Sequence, residues 1–497
     1  MRILLANPSC KQSIDNKYEK YFIRAGSRWP HSGVKRKGTI PHYLPFPFYL
    51  ACSAAKLQES GFDVHTLDAI ALDLSERSFL EMAAKIKPDL LFFEVTTPTI
   101  NYDLKLLVKI REVIPDAIIS IGGAHATTFA EQILADNPVI DVIFQGEYEL
   151  ALNDLALSYS DSQNRPRRCV IPRRAIGDNN VTSLSGVPFP AYDMFPIRDK
   201  SDPTVYWDGF CQLYPAIQMQ TSRGCPNQCY FCLWNSVIYD HGAYRVYDPE
   251  LVVAKMADLV TVYKAKEIYF DDDSFTVKKS HVVAICNALT RQNINVKWSC
   301  MADVAHLDEQ LLQTMSLAGC IGIKFGVESG SNKVLKHVGK PVDLTMVQNI
   351  VRCCRKFNIK SHATFTIGLL EESEHDVQQT LAYAAALGAD SIQISIATPF
   401  PGTRFYDTLQ KQGLVSERGW EEFDGKCSAI NLSPLLDRGR VEELRKRAML
   451  RWLLKTVFIP TNLLRHRRII IRTIQGLGIR KFMHKLSATL IDGYKNK

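Results

Sequence analysis

Short apolar runs bounded by turn residues alternate with stretches of helical periodicity over residues 1–155. Residues 2–6 read as a strand ending in Asn-Pro-Ser, and further strands fall at 64–67, 89–95, 117–121 and 141–144. Helical patterns occupy 46–60, 102–113 and 129–135 between them. This alternation predicts a Rossmann-like, doubly wound parallel sheet, whose ligands lie outside the carboxyl ends of the strands. The loops there are Pro8-Ser9, Thr96-Thr97-Pro98, Gly122-Gly123-Ala124-His125 and Gln145-Gly146-Glu147. Residues 156–210 break the periodicity with polar and proline-rich runs and read as a linker.

A second alternation follows over 211–410. Strands are expected at 216–221, 267–270, 297–300, 321–327, 363–367 and 391–397, each ending in a polar loop. Six strands with intervening helices predict a partial (β/α)6 barrel, and barrel chemistry gathers at the strands' carboxyl ends. Residues 411–497 read as a helical region. The chain thus divides into 1–155, 156–210, 211–410 and 411–497.

Composition and charge add four points. With 46% apolar residues in 497, the chain has ample material for large cores. Thirteen cysteines, an odd number scattered through apolar surroundings, fit a reducing compartment rather than a disulfide framework. The N-terminal apolar stretch is too short for a signal peptide, so a cytoplasmic protein is expected. The formal charge of +8 belongs to the tail, where residues 437–497 hold 16 Lys and Arg against four Asp and Glu. Basic residues interleaved with Trp452, Val457-Phe458-Ile459 and Ile469-Ile470-Ile471 suit a helical cap on the barrel or a helix drawn to an anionic membrane surface. Charge without a recognised motif gives no case for specific nucleic-acid binding.

The sharpest chemistry lies in Thr221-Ser-Arg-Gly-Cys-Pro-Asn-Gln-Cys-Tyr-Phe-Cys232. Cys225, Cys229 and Cys232 suffice to hold an iron-sulfur cluster while leaving one iron without a protein ligand. An open metal position is where chemistry happens. The competing zinc reading needs a fourth Cys or His, and the next candidate, His241, lies at the wrong register.

The Cys-x-x-x-Cys-x-aromatic-Cys run resembles the signature of the radical S-adenosylmethionine (SAM) superfamily. The Ile-Gly-Gly-Ala-His-Ala-Thr and Asp-Val-Ile-Phe-Gln-Gly-Glu runs resemble loops of the class that carries an N-terminal cobalamin-binding domain. The Asp-x-His-x-x-Gly motif of many cobalamin proteins is absent here, as it is from many members of this class, which hold cobalamin without a protein His ligand, and His65 does not replace it. The resemblance implies a 4Fe-4S cluster on the three cysteines, SAM on its open iron, and cobalamin on the first sheet. It implies SAM-site roles for Phe231, for Asp271, Asp272 and Asp273, for Glu328 and Ser329, and for Gly368 and Glu372. Leu370 and Glu371 depart from the family's usual Pro-Gly. It also implies cobalamin contacts at Thr96, Thr97, Gly122, Gly123, His125, Gly146 and Glu147. Glu328 alternatively reads as a helix-capping carboxylate, and Arg28 and Trp29 lie in an insert suited to a substrate lid.

The function implied is methyl transfer to an unactivated carbon, with a deoxyadenosyl radical abstracting hydrogen and methylcobalamin donating the methyl group. A flavodoxin, ferredoxin or reductase would supply electrons. The alternatives are a radical cyclase without methyl transfer and a non-catalytic cluster or cobalamin sensor. The basic tail and aromatic insert lean toward a lipid-like or hydrophobic natural-product substrate.

Overall fold

The computed structural model describes residues 1–458 except 27, 40, 42, 163–165, 167, 175–182, 198–204, 240–242, 416–418, 426, 427 and 431–435, and beyond 458 only 471, 474 and 479. The expected positions at His241 and over most of the basic tail lie outside these residues.

Strand β1 (Arg2–Asn7) leads into an antiparallel meander of β2 (Lys11–Ser13), β3 (Tyr18–Ile23) and β4 (His31–Arg36). The chain then returns through β5 (Asp63–Asp68), β6 (Leu90–Glu94), β7 (Ile118–Gly122), β8 (Val142–Phe144) and β9 (Cys169–Ile171). The parallel sheet has the order β5-β1-β6-β7-β8-β9, so the winding reverses between β1 and β6. Every residue of β6 is buried, as expected for a central parallel strand covered on both faces. Alternate side chains serve opposite faces: Leu91 and Phe93 join one apolar cluster, while Leu90 and Phe92 join another that continues into the second domain. The three-residue β9 falls inside the stretch expected to be linker.

The second sheet contains β10 (Ala216–Met219), then, beyond the short pair β11 (Ser222–Arg223) and β12 (Arg245–Val246), β13 (Glu267–Phe270), β14 (Lys297–Ala302), β15 (Cys320–Glu328), β16 (Lys360–Ile367) and β17 (Ser391–Ile396). These six strands pair in parallel in the order β10-β13-β14-β15-β16-β17, an open barrel. On β15, Ile321, Ile323, Phe325 and Val327 are buried, and Lys324, Gly326 and Glu328 between them are half-exposed. The buried set packs under the outer helices, and the other set faces the lumen. Helix ends are locally encoded, as at Ser373 and Asp376, which form a reciprocal capping box for Glu374–Ala386. The helix Arg438–Phe458 packs beside β17, with Arg445 Nε donating to the Ile394 carbonyl at 2.8 Å. No helix among the described residues is long and apolar enough to cross a membrane.

Candidate functional site

The cysteine loop leaves β10 through Thr221 and Ser222. Asp272, fully buried beyond the end of β13, accepts from Thr221 N at 2.7 Å, Thr221 Oγ1 at 2.6 Å and Ser222 Oγ at 2.6 Å. Burial pushes its carboxyl up to about 6 against these bonds. Gly224 has φ +93° and turns so tightly that a Cβ would lie 1.7 Å from the Ala243 carbonyl oxygen, so only glycine fits. Its N–H donates to Asp273 Oδ2 at 2.9 Å. Tyr230 anchors the far side, receiving Leu370 N on its hydroxyl at 2.8 Å and donating its own N–H to Val338 O at 3.2 Å.

Cys225, Cys229 and Cys232 are half-buried, and Cys232 lies within electrostatic range of both others. Desolvation pushes Cys229 up to about 12 and raises the other two. Ionising them therefore requires nearby positive charge, which bound iron supplies. Lys340 adds a cation that the sequence pattern had not revealed. Burial alone would lower it, but Glu328, Cys229, Asp303 and Cys225 hold it protonated. It sits 3.6 Å from Glu328 Oε1. Among the described residues, no three His, Cys, Asp or Glu side chains converge as a single-ion site would.

The remaining barrel positions separate into two groups. Asp271 and Asp273 reach the mouth and meet Arg28: its Nη1 donates to the Asp271 carbonyl and its Nη2 to Asp271 Oδ1, both at 2.6 Å, with Asp273 Oδ1 3.8 Å from Nε. Trp29 follows, its ring 6.0 Å from Phe231 and 6.1 Å from Phe400. The meander's tip thus lies over the cluster loop. Glu328 has φ +72° and caps no helix; its Oε2 accepts from Thr366 Oγ1 at 2.9 Å. Glu372 accepts from Gly368 N at 2.6 Å and Leu369 N at 3.0 Å, its other oxygen is buried without a partner among the described residues, and burial pushes it up to about 8. Asp272 and Ser329 turn away from this group. Ser329 Oγ lies 3.0 Å from Thr380 Oγ1, inside the packing of helix Glu374–Ala386.

The carboxyl-end loops of the first sheet face those of the barrel. Thr128 Oγ1 donates to the Pro401 carbonyl at 3.3 Å, and Gly146, at φ +71°, leaves no room for a Cβ beside Arg173 and the Ile238 carbonyl. Glu147 is taken up in this contact: Arg223 Nη1 lies 2.9 Å and Arg245 Nη2 2.7 Å from its two oxygens. Thr96 and Thr97 are buried, and His125 Nδ1 lies 3.1 Å from Thr97 Oγ1. Burial pushes His125 down to about 3, so it is neutral, with its ring against Phe129 and Trp420. Gly123, at φ +100°, brings the backbone against the Val95 carbonyl. Gly122 ends β7 and packs under Phe92 and Tyr148. His65 lies within β5 beside Asp63.

At the winding reversal three residues stand out: Ser9, in one of the loops expected to face a ligand, and Asn7 and Arg24, which the sequence does not single out. Asn7 Oδ1, Ser9 Oγ, and Nε and Nη2 of Arg24 are buried with no partner among the described residues. Arg24 is fully buried, with Nη1 donating to Asp103 Oδ1 at 2.6 Å. Orphaned groups in a sheet interior cost about 1–3 kcal/mol each, more for a charged one, unless a ligand meets them. A crevice at this place in a doubly wound sheet is where ligands bind. The mixed donors and acceptors match the amide-fringed edge of a corrin.

A doubly wound sheet whose loops face the mouth of an open barrel bearing a three-thiol loop defines a two-domain, cluster-bearing cofactor enzyme. Residues 219–384 match the family model described as the radical SAM superfamily, and residues 43–156 match the B12 binding domain. The chain is 28% identical over 451 residues to the uncharacterized methyltransferase PH0819 of Pyrococcus horikoshii, covering 87% of this chain and 93% of that protein. It is 27% identical over 410 residues to the anaerobic magnesium-protoporphyrin IX monomethyl ester cyclase of Cereibacter sphaeroides, covering 79% of this chain and 65% of that one. Among solved structures, the radical SAM methyltransferase TsrM of Kitasatospora setae, with cobalamin and a 4Fe-4S cluster bound, has a similar fold: TM-score 0.64 and 16% identity over 99% of this chain and 98% of that one. The chain is a radical SAM enzyme of the class that carries a B12 binding domain at its N-terminus.

Proposed function

We propose that this enzyme is a cobalamin-dependent methyltransferase acting on an unactivated carbon. The observation that carries the reading is the meeting of two carboxyl-end faces, one with the thiol loop and one with the buried, partnerless polar atoms of Asn7, Ser9 and Arg24. Cys225, Cys229 and Cys232 hold the cluster. Asp273, Glu328 and Phe231 bound the SAM side, and Asn7, Ser9 and Arg24, with Thr96 and Thr97 nearby, bound the cobalamin side. When bound, the cluster and SAM supply one-electron hydrogen abstraction, and cobalamin supplies a methyl group. The chain's own residues do the rest: Lys340 offsets thiolate charge, Arg28 fixes Asp271 and Asp273, and Trp29, Phe231 and Phe400 exclude water from the loop. Of the expected limits 1–155, 156–210, 211–410 and 411–497, we keep the last two and extend the first domain through β9 at Cys169–Ile171, which shortens the linker. The reducing chemistry suits a cytoplasmic enzyme served by a small flavin or iron-sulfur electron donor.

A cyclase without methyl transfer is the second reading, favoured by the resemblance to the Cereibacter enzyme. The deciding experiment is anaerobic reconstitution with iron, sulfide and hydroxocobalamin, read by visible spectra and metal analysis. Wild type is expected to hold about four irons and one cobalamin, and the Cys225→Ala/Cys229→Ala/Cys232→Ala variant to lose the iron alone. A cluster without cobalamin in wild type sinks the methyl-transfer reading.

A further inference from the structure

The barrel interior is unusual in what it exposes. A closed eight-stranded barrel is filled by bulky branched side chains, whereas these six strands leave the interior open. Here the lumen-facing positions of β15, β16 and β17 are polar or glycine and remain accessible to solvent: Lys324, His362, Thr364, Thr366, Gln393 and Ser395 are half-buried or exposed while their neighbours on each strand are buried. Met301 on β14 is an apolar exception. The Tyr269 hydroxyl, and Gln220 Oε1 just beyond the end of β10, are buried and without partners among the described residues.

Charge divides this surface asymmetrically. Its carboxylates are already used: Glu267 accepts from Gln212 N, Leu213 N and Ser299 Oγ at 2.6, 2.7 and 2.6 Å, and Asp271 is held by Arg28. Asp208 accepts from Phe210 N at 2.7 Å with one oxygen and meets Lys324 Nζ at 3.3 Å with the other. Among the described residues Lys324 Nζ makes that one long hydrogen bond and lies within electrostatic range of Asp271, so an ammonium with three donors keeps some of them for a ligand. Lys360 lies one layer below, donating to the Phe210 carbonyl at 2.8 Å. His362, desolvated and beside both lysines, is pushed down to about 3 and adds no charge. Lys324 therefore keeps donor capacity directed at the lumen.

We infer that the lumen binds a small hydrophilic substrate bearing a carboxylate or phosphate, anchored by Lys324, rather than a lipid or isoprenoid. This rests on the reading of the barrel mouth as the site of radical chemistry. A charge-assisted hydrogen bond of this kind corresponds to roughly ten- to hundred-fold in affinity.

The test offers two probes to cluster-reconstituted, cobalamin-loaded protein by equilibrium dialysis: the water-soluble and the chloroform-soluble extracts of the source cells. Retained masses are read by mass spectrometry, and iron and cobalamin content are measured in parallel. Retention of an aqueous species whose fragments show a carboxylate or a phosphate, reduced roughly ten-fold or more in Lys324→Met and kept in Lys324→Arg, is the expected result. The fragments distinguish the two oxyanions. Because Lys324→Met leaves Asp208 without its partner, Lys324→Met/Asp208→Asn is run beside it, with the same loss expected. Retention from the chloroform extract alone, from neither extract, or from the aqueous extract equally in wild type and Lys324→Met overturns the inference. Failure of wild type to take up cluster or cobalamin instead overturns the functional reading on which it rests.

Discussion

Arg223 offers the most demanding test of how the two domains are joined. It lies in β11, two residues before the first cluster cysteine, and is fully buried. Its guanidinium meets Glu147 at 2.9 Å and Glu149 at 2.5 Å, touches Cys52 Sγ at 3.5 Å and lies 4.3 Å over the Tyr49 ring. Arg223→Met keeps much of the bulk and removes the charge. Breaking a buried pair from one side costs about 3–5 kcal/mol, because the surviving carboxylate remains desolvated. At about 2–4 °C per kcal/mol for a large domain, the melting midpoint should fall by roughly 6–20 °C. The sign of the pH dependence follows. Burial already raises Glu149 above its ordinary value even with Arg223 present, and losing the cation raises it further. A carboxyl raised in the folded state contributes stability that is complete below its unfolded value and lost as pH rises. The deficit of Arg223→Met should therefore be smaller near pH 5 than at pH 8, and Arg223→Met/Glu149→Gln should recover much of it. Calorimetry or fluorescence melts of the single and double variants across that range provide the assay. A single variant within about 1 kcal/mol of wild type, or a double variant no more stable than the single, would refute the argument.

Three further outcomes are expected. Arg24→Met should take up cobalamin at least ten-fold more weakly by visible titration while keeping its full iron content; unchanged uptake removes Arg24 from that crevice. Glu372, raised by burial to about 8, contributes stability present below its ordinary 4.5 and lost as pH rises through 8, so Glu372→Gln should flatten the melting profile between those values. An unaltered slope would show that the carboxyl is not the titrating group. Asp272→Ala strands three donors and should cost about 3 kcal/mol or more, whereas SAM binding to whatever folded protein remains, followed by calorimetric titration, should be little changed.

The first sheet was readable because its central strands are buried on two faces and leave uninterrupted apolar runs such as residues 90–93; the second was readable because β15, β16 and β17 alternate buried apolar residues with half-exposed or exposed ones. Strand β9 was not, since Cys169, Val170 and Ile171 are half-buried at an edge within a polar stretch. The meander of β2, β3 and β4 was visible only as an insert, its charged alternation in Lys20 and Lys35 resembling loop composition. Of the candidate site, the three cysteines announced themselves by spacing. The acidic run of 271–273 was visible as a group but not its division of labour, because successive side chains at a strand end point in different directions. Arg24 and Lys340 carried no signal, since a buried charge is defined by partners distant in sequence. The Val-Gly-Lys-Pro turn at 338–341 was the one available hint for Lys340.

The bond between Arg28 and Asp271 spans 243 positions of the chain. Its consequence concerns the order of biogenesis. During synthesis the meander emerges first, yet its tip has nothing to clasp until the second strand of the barrel has been made and threaded into place. Contacts of such long sequence separation form late. The thiol loop is therefore finished, and open to the iron-sulfur delivery machinery, before the first forty residues close over it. A barrel produced without the meander should accept iron and then lose it to air faster than the whole chain, because its cover was encoded at the opposite end of the message.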